Sequence, residues 1–228
     1  MNPILFLKLV AYAFVCAMTA AGPAHAANYE AAIKMVIKGQ FTQALSQFEE
    51  LAAEGNAASQ YSIGLIYHLG HGVQRNPETA YHWYKKSALQ HYPRALNNIG
   101  MMYLNGEYVA KNEAVGFKLI EMASSGLAIA KNNLANCYKN GLGTTQDTRM
   151  AMIKYKEAGD AGYTLGWYHL AEMYEKGSSG IEKDIDQAVQ FYTLAADKNL
   201  KPARDKLNKL SRLSSRTQKA DIEFASTQ

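Results

Sequence analysis

The sequence predicts an all-helical solenoid built from antiparallel helix pairs, and three observations support this prediction. First, a nine-residue segment recurs four times and ends each time in a tyrosine, 35 or 36 residues after the previous one. Second, each copy leads into a turn that contains glycine, which suits the positive-φ residue that ends a helix. Third, a second stretch follows in which apolar residues recur three and four apart, the spacing of one helix face. Each unit is therefore predicted to be helix, turn and helix.

The recurring segment has the same pattern in all four copies, and we number its places from one to nine. The copies span residues 59–67, 95–103, 130–138 and 166–174. Place one is small, place five is Ile or Leu, place six is Gly or Ala, and place nine is Tyr. Small side chains at places one and six allow two helices to approach closely. Because a single helix pair cannot cover its apolar face, neighbouring units are expected to stack.

The N-terminal residues are predicted to form a secretory signal rather than part of the fold. Residues 1–26 contain one basic residue, Lys8, an apolar stretch over residues 9–15 and a final Ala-His-Ala tripeptide that fits a cleavage site. We therefore expect cleavage near Ala26 and a periplasmic or secreted mature protein. A retained anchor and a lipoprotein processed at Cys16 are the alternatives, although the apolar stretch is short for a membrane span of about 20 residues.

The rest of the chain is predicted to be a repeat array with a different segment at each end. Residues 27–56 are expected to form an N-terminal helix pair like that of a tetratricopeptide repeat. Four repeats are predicted over 57–201, at about 57–92, 93–127, 128–163 and 164–201. Residues 202–213 have one apolar stripe and a polar opposite face, as a capping helix should. Residues 214–228 have little apolar surface to bury and are expected to be a disordered tail.

The C-terminal end is the most basic part of the sequence. From Lys198 to Gln228 there are eight basic and three acidic residues, whereas the whole chain has a net charge of +4. A solvated helix and tail, or a peripheral contact with an acidic surface of the cell envelope, would both explain this. No second long apolar run follows the signal, so the mature protein is not expected to be an integral membrane protein. The absence of a nucleic-acid motif argues against nucleic acid as a partner.

The repeat resembles that of the Sel1-like family, which is related to the tetratricopeptide repeats. In that family A-x-x-x-L-G-x-x-Y is followed by G-x-G-V and by a second helix with A-x-x-W/Y-Y-x-x-A-A. The best match in this chain is made by Ile63-Gly64, Tyr67, Gly70-His71-Gly72-Val73, Ala80 and Trp83-Tyr84. The resemblance implies a right-handed α/α superhelix that binds proteins, with roles such as envelope assembly, signalling, toxin immunity or host contact. The turns at Gly106-Glu107-Tyr108 and at 177–180 depart from the pattern, and we expect local distortion there.

Nothing in the residue pattern predicts catalysis, a cofactor or a metal site. Cys137 takes place eight, where the other copies carry Ile or Met, so core packing is expected. His68 and His71 are three apart and His82 is nearby, but glycines interrupt the helix and no carboxylate joins them until Glu78. Nucleophile-elbow, phosphate-loop and zinc-protease motifs are absent from the sequence. We therefore predict a protein that is not an enzyme.

The resemblance leaves one enzymatic alternative open. Some members of the Sel1-like family carry a cysteine pair in every unit and interact with β-lactams or with the cell wall. Beyond the predicted signal this chain keeps only Cys137, so it lacks those pairs. A β-lactam- or cell-wall-interacting enzyme is therefore an alternative that rests on family analogy alone.

The first helices also predict a partner-binding face. At 100° per residue, places three, seven and ten lie opposite the places that face the core. In related solenoids the first helices line the concave surface, so the resemblance makes these places candidates for a concave binding face: Tyr61, Leu65, His68, Asn97, Met101, Asn132, Asn136, Tyr168 and Glu172. Tyrosine and methionine suit protein contacts, and asparagine can hydrogen-bond an extended backbone. A protein or peptide is thus the predicted partner. The alternative is that these side chains pack between neighbouring first helices.

Overall fold

The computed structural model describes residues 23–177 and 180–212, with side chains from Ala26 onward. Most of the predicted signal, residues 1–22, lies outside the described residues. The predicted disordered tail, residues 214–228, also lies outside them. Every prediction about those two segments therefore stays a prediction.

The described residues form successive antiparallel helix pairs, as the sequence pattern predicts. The helices are α1 (Pro23–Ile37), α2 (Phe41–Ala53), α3 (Ala57–Leu69), α4 (Pro77–Ala88), α5 (Pro93–Asn105), α6 (Glu113–Ser124), α7 (Ala128–Asn140), α8 (Thr148–Asp160), α9 (Leu165–Lys176), α10 (Ile185–Asp197) and α11 (residues 201–212). Each recurring segment lies on the first helix of its pair and packs against the second helix. The predicted all-helical solenoid class is confirmed. None of the helices in the described ranges is both long and apolar enough to cross a membrane.

The helices fall into two compact units, the first ending at Gly126 and the second beginning at Leu127. The first unit holds α1 to α6 around one apolar core, in which Phe48, Ile63 and Tyr84 are fully buried. The second unit holds α7 to α11 around two smaller apolar clusters. These cores bury place five and place eight of every copy, which the helical spacing predicts.

One polar residue ends each turn and begins each second helix. The capping residues are Asn76, Asn112, Asp147 and Asp184, and each side chain accepts a hydrogen bond from the amide three residues later. The backbone amide of the same residue donates to the carbonyl of the place-nine tyrosine, at 2.8–2.9 Å in all four repeats. The cap therefore fixes the distance between the two helices as well as the start of the second.

The turn of the second repeat is not distorted, so that part of the sequence prediction is wrong. Gly106 has φ 69°, as Gly70 and Gly141 have φ 71° and 69° at the same position. Two residues later Tyr108 has φ 65°, where Gly72 and Gly143 have φ 71° and 69°. The backbone keeps one geometry because the same carbonyl and cap bonds close each turn. Gly177 in the fourth repeat does differ, since its ψ is 167° while that of Gly70 is 36°.

The N-terminal pair is joined to the first repeat through Tyr29. Its ring is buried and lies 5.5 Å from that of Phe48, and its hydroxyl is 3.1 Å from Ser62 Oγ. Burial raises the pKa of Tyr29 to about 12. Helix α1 runs across the predicted cleavage site, so cleavage after Ala26 would shorten this helix but keep Tyr29.

Helix α11 packs on the second unit through one apolar stripe. Ala203 is fully buried, and Leu207 and Leu210 pack against the cluster formed by α9 and α10. On its other side Lys201, Arg204 and Lys209 are exposed. This arrangement covers an apolar face that would otherwise meet water at the end of the repeat array.

Candidate partner-binding surfaces

Buried tyrosines at one register of three second helices bond to polar groups of the first helices. These tyrosines, eight residues after the helix cap, are Tyr84, Tyr155 and Tyr192. The Tyr155 hydroxyl donates to Asn136 Oδ1 at 2.5 Å, and the Tyr84 hydroxyl lies 3.2 Å from His68 Nδ1. A buried hydroxyl needs a hydrogen-bond partner. Two predicted site residues, His68 and Asn136, therefore have a structural task.

His68 also belongs to a polar bridge between the first and second repeats. Its Nε2 lies 3.0 Å from Glu107 Oε2, and the other oxygen of Glu107 pairs with Arg75. Arg75 in turn donates through Nε to the carbonyl of His68 at 3.1 Å. This closed set of contacts ties the end of α3 to the turn after α5. It accounts for His68 without a metal or a substrate.

Four of the predicted site residues are buried, which corrects their assignment to an outward face. Tyr61, Leu65, Asn97 and Asn132 are 2%, 5%, 5% and 4% exposed. The Tyr61 ring lies 5.6 Å from Tyr84 and 5.5 Å from Tyr92, and burial raises its pKa. A first helix in a stack has neighbours on both sides, so its buried sector is wider than a wheel for one pair predicts. The packing alternative therefore describes these four side chains, and a partner-binding role for them stays a prediction.

The other predicted site residues are partly exposed. His68 and Met101 lie in the first unit, and Asn136, Tyr168 and Glu172 lie in the second. In the second unit these residues are linked through His169, and we call Asn136, Tyr168, His169 and Glu172 the second-unit surface. His169 lies 5.3 Å from Tyr155, 5.6 Å from Tyr168, and 3.4 Å from Glu172 Oε2.

The second-unit surface keeps polar groups that the fold does not use. Asn136 accepts from Tyr155, while its side-chain amide nitrogen and the Tyr168 hydroxyl have no hydrogen-bond partner among the described residues. Glu172 is approached by His169 and, at 3.8 Å, by the exposed Lys176. Burial lowers the pKa of His169, although Glu172 acts in the opposite direction. At neutral pH this surface therefore offers a neutral imidazole, an amide, a phenol and one carboxylate.

Glu175, at place ten of the fourth copy, is used by the chain itself. Glu175 accepts from the Tyr192 hydroxyl at 2.5 Å and from Lys206 Nζ at 2.7 Å. Burial, the largest single cause, opposes ionisation of Glu175, but the hydrogen bonds from Lys206 and Tyr192 and the charges of Lys206 and Lys176 together hold its pKa below the ordinary value. One lysine of the basic C-terminal end thus points inward and fastens α11 to α9.

Cys137 and His71 lie in packed positions. Cys137 is fully buried in α7. The ring of His71 stacks on Phe41 at 5.0 Å. Within the described ranges no group of three or more His, Cys, Asp and Glu side chains could hold a metal ion.

The structure shows a surface cluster that the sequence interpretation missed. Tyr108 lies 5.5 Å from the Tyr81 ring and 6.0 Å from His82, and its hydroxyl donates to Glu78 Oε1 at 3.0 Å. The Tyr81 hydroxyl is 3.2 Å from that of Tyr103, which extends the cluster to the end of α5. The signal was present, because tyrosine stands at the second glycine position of the G-x-G-V turn. We call these five residues the Tyr108 cluster.

Comparison with known proteins identifies the repeat and its relatives. The sequence profile of the Sel1 repeat matches residues 57–92, 93–126, 128–163 and 168–200. The chain is 26% identical over 166 residues to chitin synthase regulatory factor 3 of Schizosaccharomyces pombe, which covers 69% of this chain and 18% of that protein. It is 33% identical over 70 residues to the ERAD-associated E3 ubiquitin-protein ligase component HRD3A of Arabidopsis thaliana, covering 30% and 10%. The chain thus spans less than a fifth of the length of either relative.

Solved structures with the same architecture include two bacterial proteins. A Sel1 repeat protein from Oxalobacter formigenes superposes with a TM-score of 0.73 at 30% identity, over 79% of this chain and 74% of that one. An immunity protein from Pseudomonas aeruginosa superposes with a TM-score of 0.58 at 18% identity, over 82% and 69%. The second likeness is one of fold alone.

Proposed function

Because this chain belongs to the Sel1 repeat family, we propose that it is a non-catalytic scaffold or adaptor that holds a protein or peptide against its first helices. Two relatives are named as a regulatory factor and as a component of a ubiquitin ligase, which supports a role in association with other proteins. A repeat array also suits this role, since stacked helix pairs expose a long surface whose side chains can vary while the core stays the same.

The second-unit surface is the observation that carries this proposal. It brings together an amide, an imidazole, a phenol and a carboxylate from two different first helices, and it leaves them partly exposed. The Asn136 amide nitrogen and the Tyr168 hydroxyl are not used by the described residues and can bond a peptide backbone. Aromatic and amide groups of this kind are typical of protein interfaces. A partner therefore gains hydrogen bonds here without displacing a bond of the fold.

Site-specific photocross-linking in the native host tests the proposal. A photoreactive phenylalanine analogue is introduced at Asn136 or Glu172, and in matched controls at Met122 or Ile153, which are exposed on second helices. We expect a discrete adduct with a protein from the first two positions and none from the controls. An adduct of equal yield at all four positions, or at none, would refute binding at the first helices.

Labelling with a fluorescent penicillin tests the non-catalytic part of the proposal. Among the described residues the shortest His–Glu contact, at 3.0 Å, is that of His68 with Glu107, and both residues are held by the bridge between repeats. We therefore expect no saturable, stoichiometric labelling of the purified protein. Labelling that reaches one molecule of penicillin per chain would contradict this and favour the β-lactam-interacting alternative.

The cell envelope is the proposed location. The pattern of residues 1–26 motivates it, since it fits an exported precursor. Mass spectrometry of the protein purified from its host, after separation of periplasm, membranes and medium, tests it. A mature N-terminus at Ala27 in the periplasmic or secreted fraction is expected, while a chain that keeps Met1 in the cytoplasmic fraction would refute export.

A further inference from the structure

Tyr108 takes a backbone conformation that its side chain disfavours. Its φ of 65° lies in the left-handed region, where the first and third repeats carry Gly72 and Gly143 with φ 71° and 69°. Glycine adopts this conformation readily, whereas a residue with a Cβ is strained there. Any benefit of tyrosine at this position must therefore come from its side chain.

The side chain of Tyr108 is not used to fill the core. The residue is 46% exposed, and its ring lies beside those of the partly buried Tyr81 and the exposed His82. Its hydroxyl bonds Glu78 at 3.0 Å and lies 3.4 Å from His82 Nε2. A strained residue that keeps nearly half of its surface in water indicates a functional role rather than a packing role.

The charge of the Tyr108 cluster selects the chemistry of its partner. Glu78 forms no ion pair with any described residue, while the neighbouring carboxylates of Glu107 and Glu113 are paired with Arg75 and Lys111. Aromatic faces attract cations, and a carboxylate binds guanidinium groups through two parallel hydrogen bonds. An exposed ring beside an unpaired carboxylate therefore matches arginine, whose planar side chain can stack and pair at once.

We propose that the Tyr108 cluster is a docking site for an arginine-bearing segment of a protein partner, with the guanidinium stacked on Tyr108 and paired with Glu78. This inference rests on the proposed protein-binding function, but it names a second surface, on the α4 side of the first unit. It adds a positively charged anchor to the contacts that the second-unit surface would make. Lysine fits less well, because an ammonium group is a point charge that cannot stack.

Peptide titration of the whole mature chain tests the inference. The probes are capped hexapeptides with two arginines, two lysines or two glutamates in a glycine–serine background. Their binding is followed by NMR of the protein labelled with ¹⁵N-tyrosine. The Tyr108 signal is assigned by its loss in Tyr108→Gly. We expect saturable shifts with the arginine peptide, weaker shifts with lysine and none with glutamate. Equal shifts with all three peptides would overturn the inference.

Two variants separate binding from folding. Tyr108→Gly places in this turn the residue that the first and third repeats carry, so the backbone should be kept. Glu78→Gln removes the charge at nearly constant shape. Each variant should bind the arginine peptide about two- to fivefold more weakly, which is the range that a cation–aromatic contact at an exposed site supplies. The melting temperature of Tyr108→Gly should not fall. Unchanged affinity, or a large fall in melting temperature, would show that the ring is structural and would overturn the inference.

The cross-linking and peptide experiments together distinguish the docking site from the proposed function. Cross-linking through Asn136 and Glu172 reports the second-unit surface, which shares no residue with the Tyr108 cluster. If those adducts form but the arginine peptide does not bind, the Tyr108 inference fails and the scaffold function stands. If the peptide binds but no adduct forms, the proposal that the partner binds at the first helices is refuted, and the partner is held through the Tyr108 cluster.

Discussion

Replacing Gly166 with alanine should destabilise the second unit, although the repeat pattern suggests the opposite. Gly166 occupies place one, where the other copies carry Ser59, Ala95 and Ala130, so the pattern tolerates a Cβ there. In the structure, however, a Cβ on Gly166 would lie 2.4 Å from the Tyr155 carbonyl oxygen and 2.6 Å from the backbone nitrogen of Gly159. Both atoms belong to the backbone of α8, so no side-chain rotation relieves the contact.

The size of the effect follows from two opposing contributions. Overpacking a well-packed interior costs about 1–3 kcal/mol, and the backbone contacts place Gly166→Ala at the upper end of that range. Exchange of glycine for alanine inside a helix favours folding by about 1 kcal/mol. The net loss should therefore be about 1–2 kcal/mol, which lowers the melting temperature by about 2–8 °C for a chain of this size.

Urea unfolding followed by circular dichroism measures this loss, with Gly64→Ala as the matched control. A Cβ on Gly64 would lie 2.6 Å from the ring of Tyr84 but 3.1 Å from the nearest backbone atom, the carbonyl oxygen of Ala80, so its severe contact is with a side chain rather than with backbone. At the equivalent place the third and fourth repeats already carry Ala135 and Ala171. Gly64→Ala should therefore cost less than Gly166→Ala. The reasoning is refuted if Gly166→Ala is as stable as the parent protein, or if the order of the two variants is reversed.

Three further predictions concern single side chains of the second unit. The pKa of Glu175 is lower in the folded state, so its contact with Lys206 stabilises the fold above the unfolded pKa of about 4.3 and is lost as the pH falls through the folded value. The difference in melting temperature between the parent protein and Lys206→Met should shrink from pH 7 to pH 3, and a constant difference would contradict the assignment. Cys137 is fully buried, so Ellman's reagent should react with it only after unfolding; rapid reaction of the native protein would count against its core position. Asp184→Ala should lose about 1 kcal/mol in urea unfolding because a helix cap is removed, whereas Asp184→Asn should lose little; equal losses would exclude capping as the cause.

The fold could be predicted well from the sequence because the recurring positions show which residues correspond in each repeat. The tyrosines at place nine recur at nearly constant spacing, and each turn passes directly to an Asn or Asp that caps the next helix. Local rules of helix start and stop act within a few residues, so they can be read from one chain. Burial of Ile63 and Leu134 at place five follows from the same helical spacing.

The partner-binding face was harder to predict because it depends on what lies on both sides of each first helix. A helical wheel places Tyr61 and Leu65 away from the second helix of their own pair, yet the Tyr61 ring lies 5.6 Å from that of Tyr84 on that helix. Stacking also buries Tyr61 against Tyr92, the residue that immediately precedes α5 of the next repeat. Contacts between residues that are far apart in sequence decide the exposure of these positions, and no local pattern reports them.

The hydrogen bonds of the second-helix tyrosines were missed for a related reason. Helical spacing alone does not show which groups the hydroxyls of Tyr155 and Tyr192 reach. In the structure the acceptors are Asn136 and Glu175, at different places of their first helices. Polar residues at the ends of the first helices can therefore accept hydrogen bonds from buried tyrosines rather than bind a partner. This reduces the number of candidate partner-binding residues.

The four repeats of one chain allow their own comparison, and this comparison points first to Tyr108. At place three the copies differ, yet Tyr61 and Asn132 are both buried, so packing against different neighbours explains the difference. At the turn position occupied by Gly72, Tyr108 and Gly143 the backbone is the same in three repeats, with φ between 65° and 71°, and only the side chain changes. Core packing gives no reason for this change, because Tyr108 is 46% exposed. A residue that is unfavourable for the backbone and unnecessary for the core is best explained by a contact outside the chain, and its exchange for glycine should affect binding before it affects folding.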